Sequence, residues 1–355
     1  MKSLMKDNPP FMYEPWSFKV MGSAIEKFKN GYLPILDIEL SARCDHGCCI
    51  YCDSDVGSPY PNELSFEELK SVVDSGKKLG VEWVYICGLG EPTDDEKFFR
   101  VIEYLAENDI KISMFSCGID YTIKDIKKLR NCNVNLIIKL DSFDEKIFDY
   151  LLGKEDSAKS VYKTLALLLE EGYAKKNDDD LTDLAFSIIP TRKNIKEIPK
   201  IVKYCKENNI FPSIGELEFS GRAKKVFSAL SPSKEELIEL KRNVDMILGY
   251  DYKKPICPSA IASLHINNVG KYVVDKETGL SCPWFFLKEP EYFEVGDVRE
   301  DEIRVVLKRM IEYRKERRSN IESIIKNISQ HVFGGCGGDI TKLLELYLKA
   351  TQDTS

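Results

Sequence analysis

Between residues 35 and 220, short apolar runs alternate along the chain with longer stretches in which apolar and polar residues are interleaved. The short runs are typical of buried strands, and the longer stretches are typical of amphipathic helices. Their alternation predicts repeated βα units and a parallel sheet. The predicted strands cover residues 35–41, 83–87, 111–116, 134–140, 184–189 and 214–219. The predicted helices cover residues 65–78, 95–107, 123–129, 157–172 and 196–208.

Six such units predict an α/β fold, a partial (βα)6 barrel of the TIM type. In barrels of this kind, functional residues gather at the C-terminal ends of the strands. The residues that follow each predicted strand are therefore the first candidates for a functional site.

The same pattern suggests how the rest of the chain is divided. A strongly patterned helix over residues 231–248 begins with Ser231-Pro-Ser233-x-x-Glu236, which is a helix start signal. We interpret this helix as a linker, whereas the first residues of the chain show no clear periodicity. The predicted divisions are a lead-in at 1–34, the barrel at 35–225, the linker helix at 226–252 and a small α+β domain at 253–355.

Composition and charge narrow the class of protein. The chain has 355 residues, 43% of them hydrophobic, which is enough to bury a large core. Its net charge of −7 gives no overall attraction to phosphate backbones, so no nucleic acid partner is expected. No apolar run approaches the roughly 20 residues that span a bilayer, and the N-terminus lacks the layout of a signal peptide. We therefore expect no membrane partner and a cytoplasmic location.

Four of the eleven cysteines lie within one short stretch, Cys44-Asp-His-Gly-Cys48-Cys49-Ile-Tyr-Cys52, just after the first predicted strand. Clustering of this kind indicates ligation of a metal or an iron–sulfur cluster rather than a disulfide scaffold. A four-iron cluster held by three thiolates would keep one iron open to a small-molecule ligand. A zinc knuckle is the alternative, because Cys-x-x-Cys pairs also bind zinc, but a closed zinc site would need a fourth ligand.

This stretch resembles the signature of the radical S-adenosylmethionine (radical SAM) superfamily, CxxxCx(aromatic)C after the first barrel strand. Tyr51 occupies the aromatic position. The chain has one extra residue, so its motif is either CxxxxCxxC through Cys49 or CxxxCxxxC through Cys48. The register through Cys49 is favoured because it keeps the aromatic in place. The resemblance implies a 4Fe-4S cluster on Cys44, Cys49 and Cys52, with S-adenosylmethionine (SAM) at its open iron.

The stretch after the second predicted strand, Gly88-Leu-Gly90-Glu91-Pro92, is similar to the superfamily's GGE-like motif. Taken alone, two glycines and an acid are equally typical of a tight turn between a strand and a helix. The resemblance implies that Gly88, Gly90, Glu91 and Pro92 bind the amino group of the methionine part of SAM. Glycine lets the backbone approach a ligand closely, and a carboxylate pairs with an ammonium.

The ends of the later predicted strands supply further candidates through the same resemblance, which covers about residues 35–225. Superfamily members place a small polar residue after strand three, polar groups near the SAM ribose or carboxylate after strand four, and an arginine near the methionine carboxylate after strand five. The matching residues are Ser116, Asp141, Ser142 and Arg192. For the arginine, a solvated loop position is the alternative, and Cys117 is expected to be a core thiol. After strand six, Glu216 and Glu218 are the catalytic candidates, and periodicity does not choose between them.

Three more cysteines, Cys257, Cys282 and Cys336, fall in the predicted C-terminal domain. A hairpin is predicted between the first two, over residues 265–274. The order of cysteine, hairpin, cysteine, helix and glycine-flanked cysteine resembles the auxiliary-cluster domains named SPASM and twitch. This resemblance implies a second, auxiliary 4Fe-4S cluster. The alternative is that the three cysteines are simply buried.

Taken together, the resemblance implies a radical SAM enzyme that cleaves SAM reductively to a 5'-deoxyadenosyl radical. The radical would abstract a hydrogen atom from a small-molecule or peptide substrate, with net oxidation or bond formation assisted by the auxiliary cluster. An electron donor such as flavodoxin or ferredoxin would be a partner. The predicted lead-in is too short for the leader-recognition domain of many peptide maturases, which favours a small molecule, a leader-independent peptide or a separate recognition protein.

Two other functions stay open from the sequence. One is an RNA-modifying radical SAM enzyme, which the acidic balance of the chain disfavours. The other is a non-catalytic metal-binding interaction protein, which metal analysis would distinguish from an enzyme.

Overall fold

The computed structural model of the protein describes residues 17–46, 49–54, 56–176, 182–249, 251–252, 259–281, 291–320 and 332–333. Strands β1 to β9 span Ile35–Ile38, Trp83–Ile86, Lys111–Ser116, Val134–Lys139, Leu184–Ile188, Phe211–Ile214, Ser263–Ile266, Lys271–Asp275 and Tyr292–Asp297. Helices α1 to α11 span Ser17–Lys29, Phe66–Lys77, Phe98–Glu107, Ile123–Asn131, Glu145–Leu152, Ser157–Glu170, Ile198–Asn208, Ala223–Leu230, Lys234–Leu248, Ser259–Ala262 and Ile303–Glu316. A short 3-10 turn, Pro92–Asp94, follows β2.

The strands form one sheet in the order β6-β5-β4-β3-β2-β1-β7-β8-β9. Strands β1 to β6 pair in parallel with their neighbours in the chain, and helices connect them, which confirms the predicted α/β partial barrel. The predicted hairpin is present as β7 and β8. Strand β7 pairs in parallel with β1, so the hairpin extends the barrel sheet. The division of the chain into a barrel and a separate small domain stays a prediction.

The two faces of the parallel strands differ in polarity. Leu36 represents the apolar face, which packs on helices: a Cβ at Gly76 of α2 would lie 3.1 Å from its Cδ1. On the opposite face, the strand register places Asp37, Tyr85 and Ser113 side by side across β1, β2 and β3. All three are buried. The inner face therefore carries polar groups that lead toward the C-terminal strand ends.

The sixth strand lies earlier than predicted, at Phe211–Ile214 rather than 214–219. Pro212 conceals it in the sequence, because proline cannot donate a ladder hydrogen bond and is rare inside sheets. Strand β6 is an edge of the described sheet, where this loss is tolerated. Tyr252 covers the edge: its hydroxyl donates to Pro212 O at 2.6 Å and accepts from Ile214 N at 3.1 Å.

Helix starts are predicted better than short helices. The capping boxes of α2 and α9 are both present, with Ser65 opposite Glu68 and Ser233 opposite Glu236. The sequence pattern does not predict α1, which has 13 residues within the predicted lead-in, nor α5 and α8, which have eight residues each. Eight residues make only about two helical turns, so the periodic signal is short. Helices α5 and α8 both contact the loop that carries the clustered cysteines.

Candidate functional site

Residues 44–52, which we call the cysteine loop, follow β1 and are attached to both of the unpredicted short helices. In the middle of the loop, Ile50 N donates to Leu151 O of α5 at 3.1 Å. At its end, Cys52 O accepts from Ala223 N at the start of α8, also at 3.1 Å. The loop is therefore fixed against the C-terminal end of the barrel at two points.

Two glycines allow neighbouring loops to close on the ends of the cysteine loop. A Cβ at Gly90 would lie 2.4 Å from the backbone oxygens of Ser41 and Arg43, just before the loop. A Cβ at Gly221 would lie 2.4 Å from the backbone oxygen of Asp53, just after it. Both glycines have positive φ, +70° and +45°, a region that other residues rarely adopt. The loops after β2 and β6 therefore pack directly on the cysteine loop.

The thiols of Cys44, Cys49 and Cys52 are free and only partly exposed. Cys49 and Cys52 are joined by a backbone hydrogen bond of 3.2 Å, from Cys52 N to Cys49 O. Burial raises the pKa of Cys44 to about 12, with the Glu91 carboxylate and the Cys49 thiol adding to the effect. Thiolates in this setting need a nearby positive charge, which bound iron supplies. Three adjacent free thiols are thus a donor set that fits an iron–sulfur cluster.

Two further observations bear on the ligand set. Within the described part of the chain, no group of three or more Cys, His, Asp or Glu residues is arranged around a single metal ion. The thiolates of a 4Fe-4S cluster bind different irons, so they do not have to converge on one point. Cys48 lies outside the described residues, and the choice between the Cys48 and Cys49 registers stays a prediction.

The Glu91 carboxylate joins the loop after β2 to the end of β3. It accepts hydrogen bonds from Ser116 Oγ at 2.8 Å, Cys117 N at 2.7 Å and Thr93 Oγ1 at 3.1 Å. Burial raises the pKa of Glu91, and these bonds oppose the shift. Glu91 and Ser116, two predicted cofactor-binding residues, therefore form one buried unit. Direct contact of either with SAM stays a prediction.

Tyr51 of the cysteine loop forms a second unit with Lys139 and Asp141 at the end of β4. The Tyr51 hydroxyl donates to the Asp141 carboxylate, which also accepts from Ile189 N at 2.8 Å. The Lys139 ammonium lies 4.1 Å from the centre of the Tyr51 ring and 3.9 Å from the Asp141 carboxylate. The motif's aromatic residue is thus tied to the ends of β4 and β5. Lys139 is missing from the sequence-based candidates, although its place at the end of β4 was a usable signal.

Ser142 and Arg192, two other cofactor-binding candidates, have partners within the protein. Ser142 Oγ donates to the Glu197 carboxylate. The Arg192 side chain is 49% exposed, donates to Ser228 O at 3.1 Å and lies 3.9 Å from the Glu236 carboxylate. These contacts place Arg192 against α8 and the start of α9. Its pairing with the SAM carboxylate stays a prediction.

The corrected end of β6 changes the argument about Glu216 and Glu218. Because the strand ends at Ile214, both glutamates lie in the loop that follows, where strand periodicity says nothing about the direction of either side chain. Glu216 Oε1 accepts from Val332 N and Phe333 N, both at 2.8 Å. Glu216 therefore attaches a C-terminal segment to the barrel end. A catalytic role for either glutamate stays a prediction.

A buried Glu39–His265 pair is a feature that the sequence reasoning missed. His265 Nε2 lies 3.0 Å from Glu39 Oε1, and the two side chains are 1% and 2% exposed. Burial lowers the pKa of His265, but the Glu39 carboxylate outweighs it, so the pKa is raised overall. Glu39 also packs under the loop after β2, since a Cβ at Gly88 would lie 2.4 Å from its Cγ. The signal in the sequence is an acid at the end of an apolar strand.

The three C-terminal cysteines, Cys257, Cys282 and Cys336, lie outside the described residues. The auxiliary cluster therefore stays a prediction. Among the described helices, none is long and apolar enough to cross a membrane.

Comparison with protein families matches residues 38–205 to the radical SAM superfamily. The chain is similar to the mycofactocin maturase MftC of Mycolicibacterium smegmatis, with 26% identity over 260 residues that cover 70% of this chain and 64% of the relative. It is also similar to the sporulation killing factor maturation protein SkfB of Bacillus subtilis, with 25% identity over 215 residues that cover 60% of this chain and 50% of the relative. The chain thus spans between half and two thirds of these relatives.

Among solved structures, the fold is similar to Streptococcus suis SuiB bound to its precursor peptide SuiA. The TM-score is 0.60 and the identity 17%, over 81% of this chain and 68% of that chain. At this identity the likeness shows a shared fold, in agreement with the partial barrel.

Proposed function

We propose that the chain, whose residues 38–205 match the radical SAM superfamily, is an enzyme that cleaves SAM reductively and abstracts a hydrogen atom from a peptide. One observation carries the proposal: the loop after β2 packs directly on the start of the cysteine loop. Gly90 has no room for a side chain against Ser41 and Arg43. Two motifs that are far apart in the sequence, and that the superfamily uses together, are therefore neighbours in space.

Cys44, Cys49 and Cys52 would hold the cluster, leaving one iron for the amino and carboxylate groups of SAM. When bound, the cluster supplies the electron that splits SAM into methionine and a 5'-deoxyadenosyl radical. The residues of the chain would then bind and orient SAM, and they would exclude water from the site. The three thiols are partly buried, which would limit the access of water to a cluster bound there.

The loop after β2 would bind the methionine part of SAM mainly through its backbone. The missing side chains of Gly88 and Gly90 let this loop pack closely on Glu39, Ser41 and Arg43, and Pro92 opens the 3-10 turn that ends the loop. The Glu91 carboxylate fixes this loop to Ser116 at the end of β3. We assign Glu91 a supporting charge for the SAM ammonium as well as this fixing role.

The ends of β4 and β5 would face the rest of the cofactor. Asp141 and Ser142 are the proposed partners of the ribose, and Arg192 of the methionine carboxylate. Glu216 and Glu218, in the loop after β6, are proposed to face the substrate. An auxiliary cluster on Cys257, Cys282 and Cys336 would accept the electron left on the substrate or bind the substrate itself.

A peptide is the substrate class that MftC, SkfB and SuiB favour. Two are named as maturation proteins, one for mycofactocin and one for the sporulation killing factor, and SuiB was solved with a precursor peptide. Transfer to this chain is part of our proposal. It includes a small electron-transfer protein such as flavodoxin or ferredoxin as reductant, and a cytoplasmic location, where thiols stay reduced.

The test is anaerobic reconstitution of the full chain with iron and sulfide, followed by SAM and a chemical reductant. Mass spectrometry should detect 5'-deoxyadenosine with the wild-type protein and none with Cys44→Ala, which removes one expected ligand. Candidate peptides with deuterium at single carbons should then pass deuterium to 5'-deoxyadenosine. A wild-type protein that carries zinc and makes no 5'-deoxyadenosine would contradict the proposal.

A further inference from the structure

Lys139 is a cation held beside the expected iron ligands. It is the last residue of β4, and its side chain is 22% exposed. Its ammonium lies 4.1 Å from the centre of the Tyr51 ring. In the sequence, Tyr51 stands between Cys49 and Cys52, and it is only 5% exposed. The positive charge is thus in contact with a buried residue that lies between two expected ligands.

Two neighbours, the Tyr51 side chain and the Asp141 carboxylate, fix the position of the ammonium. Its face-on position over the Tyr51 ring is a cation–π contact, which is stronger when partly desolvated. The Asp141 carboxylate is 3.9 Å away, beyond hydrogen-bond length. That carboxylate is engaged instead by the Tyr51 hydroxyl and by Ile189 N. The ammonium is therefore held in place while its charge stays available to the cysteine loop.

A fixed charge at this place acts on the electron affinity of the cluster. Reduction adds one electron from the external donor and makes the cluster more negative. A nearby positive charge stabilises the more negative state, and the effect is large where water screens poorly. Cluster potentials are known to follow net charge and hydrogen bonding around the sulfurs.

We propose that Lys139 raises the reduction potential of the cluster held by Cys44, Cys49 and Cys52, and that Tyr51 positions its ammonium. The inference rests on the proposed function, because it concerns the cluster that cleaves SAM. It adds a residue that sets how readily this cluster takes up its electron. Lys139 acts through the field of its charge and is a positioning and tuning residue rather than a ligand.

The experiment is a redox titration of the reconstituted full chain, followed by electron paramagnetic resonance without SAM. The relevant signal is the one that Cys44→Ala abolishes. Lys139→Met keeps the length of the side chain and removes the charge, and its midpoint potential should shift to a more negative value. Lys139→Arg should restore most of the wild-type potential.

Lys111→Met is the matched control. The Lys111 ammonium also lies over an aromatic ring, 5.3 Å from the centre of the Trp83 ring, but at the N-terminal ends of β3 and β2. Removing this charge should leave the midpoint potential unchanged. Lys139→Gln provides a second neutral variant should Lys139→Met lose its iron.

The outcomes separate this inference from the proposed function. A neutral variant that retains its iron and keeps the wild-type midpoint would overturn the role of Lys139. So would a variant with the wild-type midpoint that fails to bind SAM in equilibrium dialysis, because the ammonium would then serve the cofactor instead. A wild-type protein without a reducible cluster would overturn the proposed function itself.

Discussion

In the cysteine loop, the three thiols and the aromatic residue among them have separate physical tasks. The thiols of Cys44, Cys49 and Cys52 are free to bind iron. The ring of Tyr51 contacts the Lys139 ammonium, and its hydroxyl reaches the Asp141 carboxylate. The Tyr51 side chain thus links the cysteine loop to the positive charge of Lys139 and to the carboxylate of Asp141. An aromatic residue without a hydroxyl would keep only the first of these contacts.

We predict that Cys49, and not Cys48, is the second cluster ligand of the motif. Cys49→Ala should abolish SAM cleavage, because Cys49 precedes the Ile-Tyr51-Cys52 sequence that matches the superfamily. Cys48→Ala should keep most of the activity. The measurement is 5'-deoxyadenosine formed per chain under reducing conditions. The opposite pair of results would mean that Cys48 is the ligand.

Single residues with specific ligand chemistry could be predicted from the sequence, and residues that act through space could not. Clustered thiols and the Gly88–Pro92 stretch are local patterns, so the sequence displays them. Lys139 matters because it lies over Tyr51, and Glu39 because it pairs with His265. Each of these contacts joins residues on different strands or loops. Only the folded chain brings them together.

Loops and short helices carry or contact the residues of the site, whereas the parallel strands and the longer helices support these segments. The long strands and capped helices were predictable because their periodicity is extended. Strand β6 was misplaced because Pro212 is tolerated only at a sheet edge, and edges are a property of the whole sheet. Helices α5 and α8, which attach the cysteine loop, were missed because they are short.

The contact between the loop after β2 and the cysteine loop yields a prediction with an internal control. Gly90→Ala should destabilise the protein by about 1–3 kcal/mol from overpacking, on top of about 1 kcal/mol of backbone strain. A methyl group there would meet backbone oxygens at 2.4 Å, which cannot rotate away. Because the cysteine loop would be displaced, iron retention should also fall.

Gly31→Ala is the matched control for this change. Gly31 has a similar positive φ of +82°, but a Cβ there would meet nothing within 4 Å. It should cost only the strain of about 1 kcal/mol and retain its iron. Urea unfolding midpoints and iron per chain measure both effects. Equal losses in the two variants would show that the packing of Gly90 on the loop is unimportant.

On the scale of the whole molecule, the C-terminal part of the chain is built into the barrel sheet. Strand β7 pairs with β1, and the buried Glu39–His265 pair joins the same two regions. Glu216 and Tyr252 attach further C-terminal residues to the end and edge of β6. The sequence predicted the hairpin but not its attachment, because strand partners far apart in the chain leave no local pattern.

We predict that the three C-terminal cysteines bind a second, auxiliary cluster. Replacing Cys257, Cys282 and Cys336 together with Ala should remove about four irons per chain, the content of one 4Fe-4S cluster. The variant should still form 5'-deoxyadenosine, since the cysteine loop is intact, but yield no modified substrate. Cys132→Ala, at the end of α4, is the control and should keep all iron. A triple variant with full iron content would show that the three cysteines are not ligands.

The proposed function requires that three thiolates of the cysteine loop hold a cluster with one iron open to SAM. Electron paramagnetic resonance of the reduced, reconstituted protein tests it most directly, with and without SAM. We predict that SAM changes the spectrum of the signal that Cys44→Ala abolishes, because a ligand on the open iron alters its electronic environment. A spectrum that SAM leaves unchanged, or a protein that binds only zinc, would contradict the account.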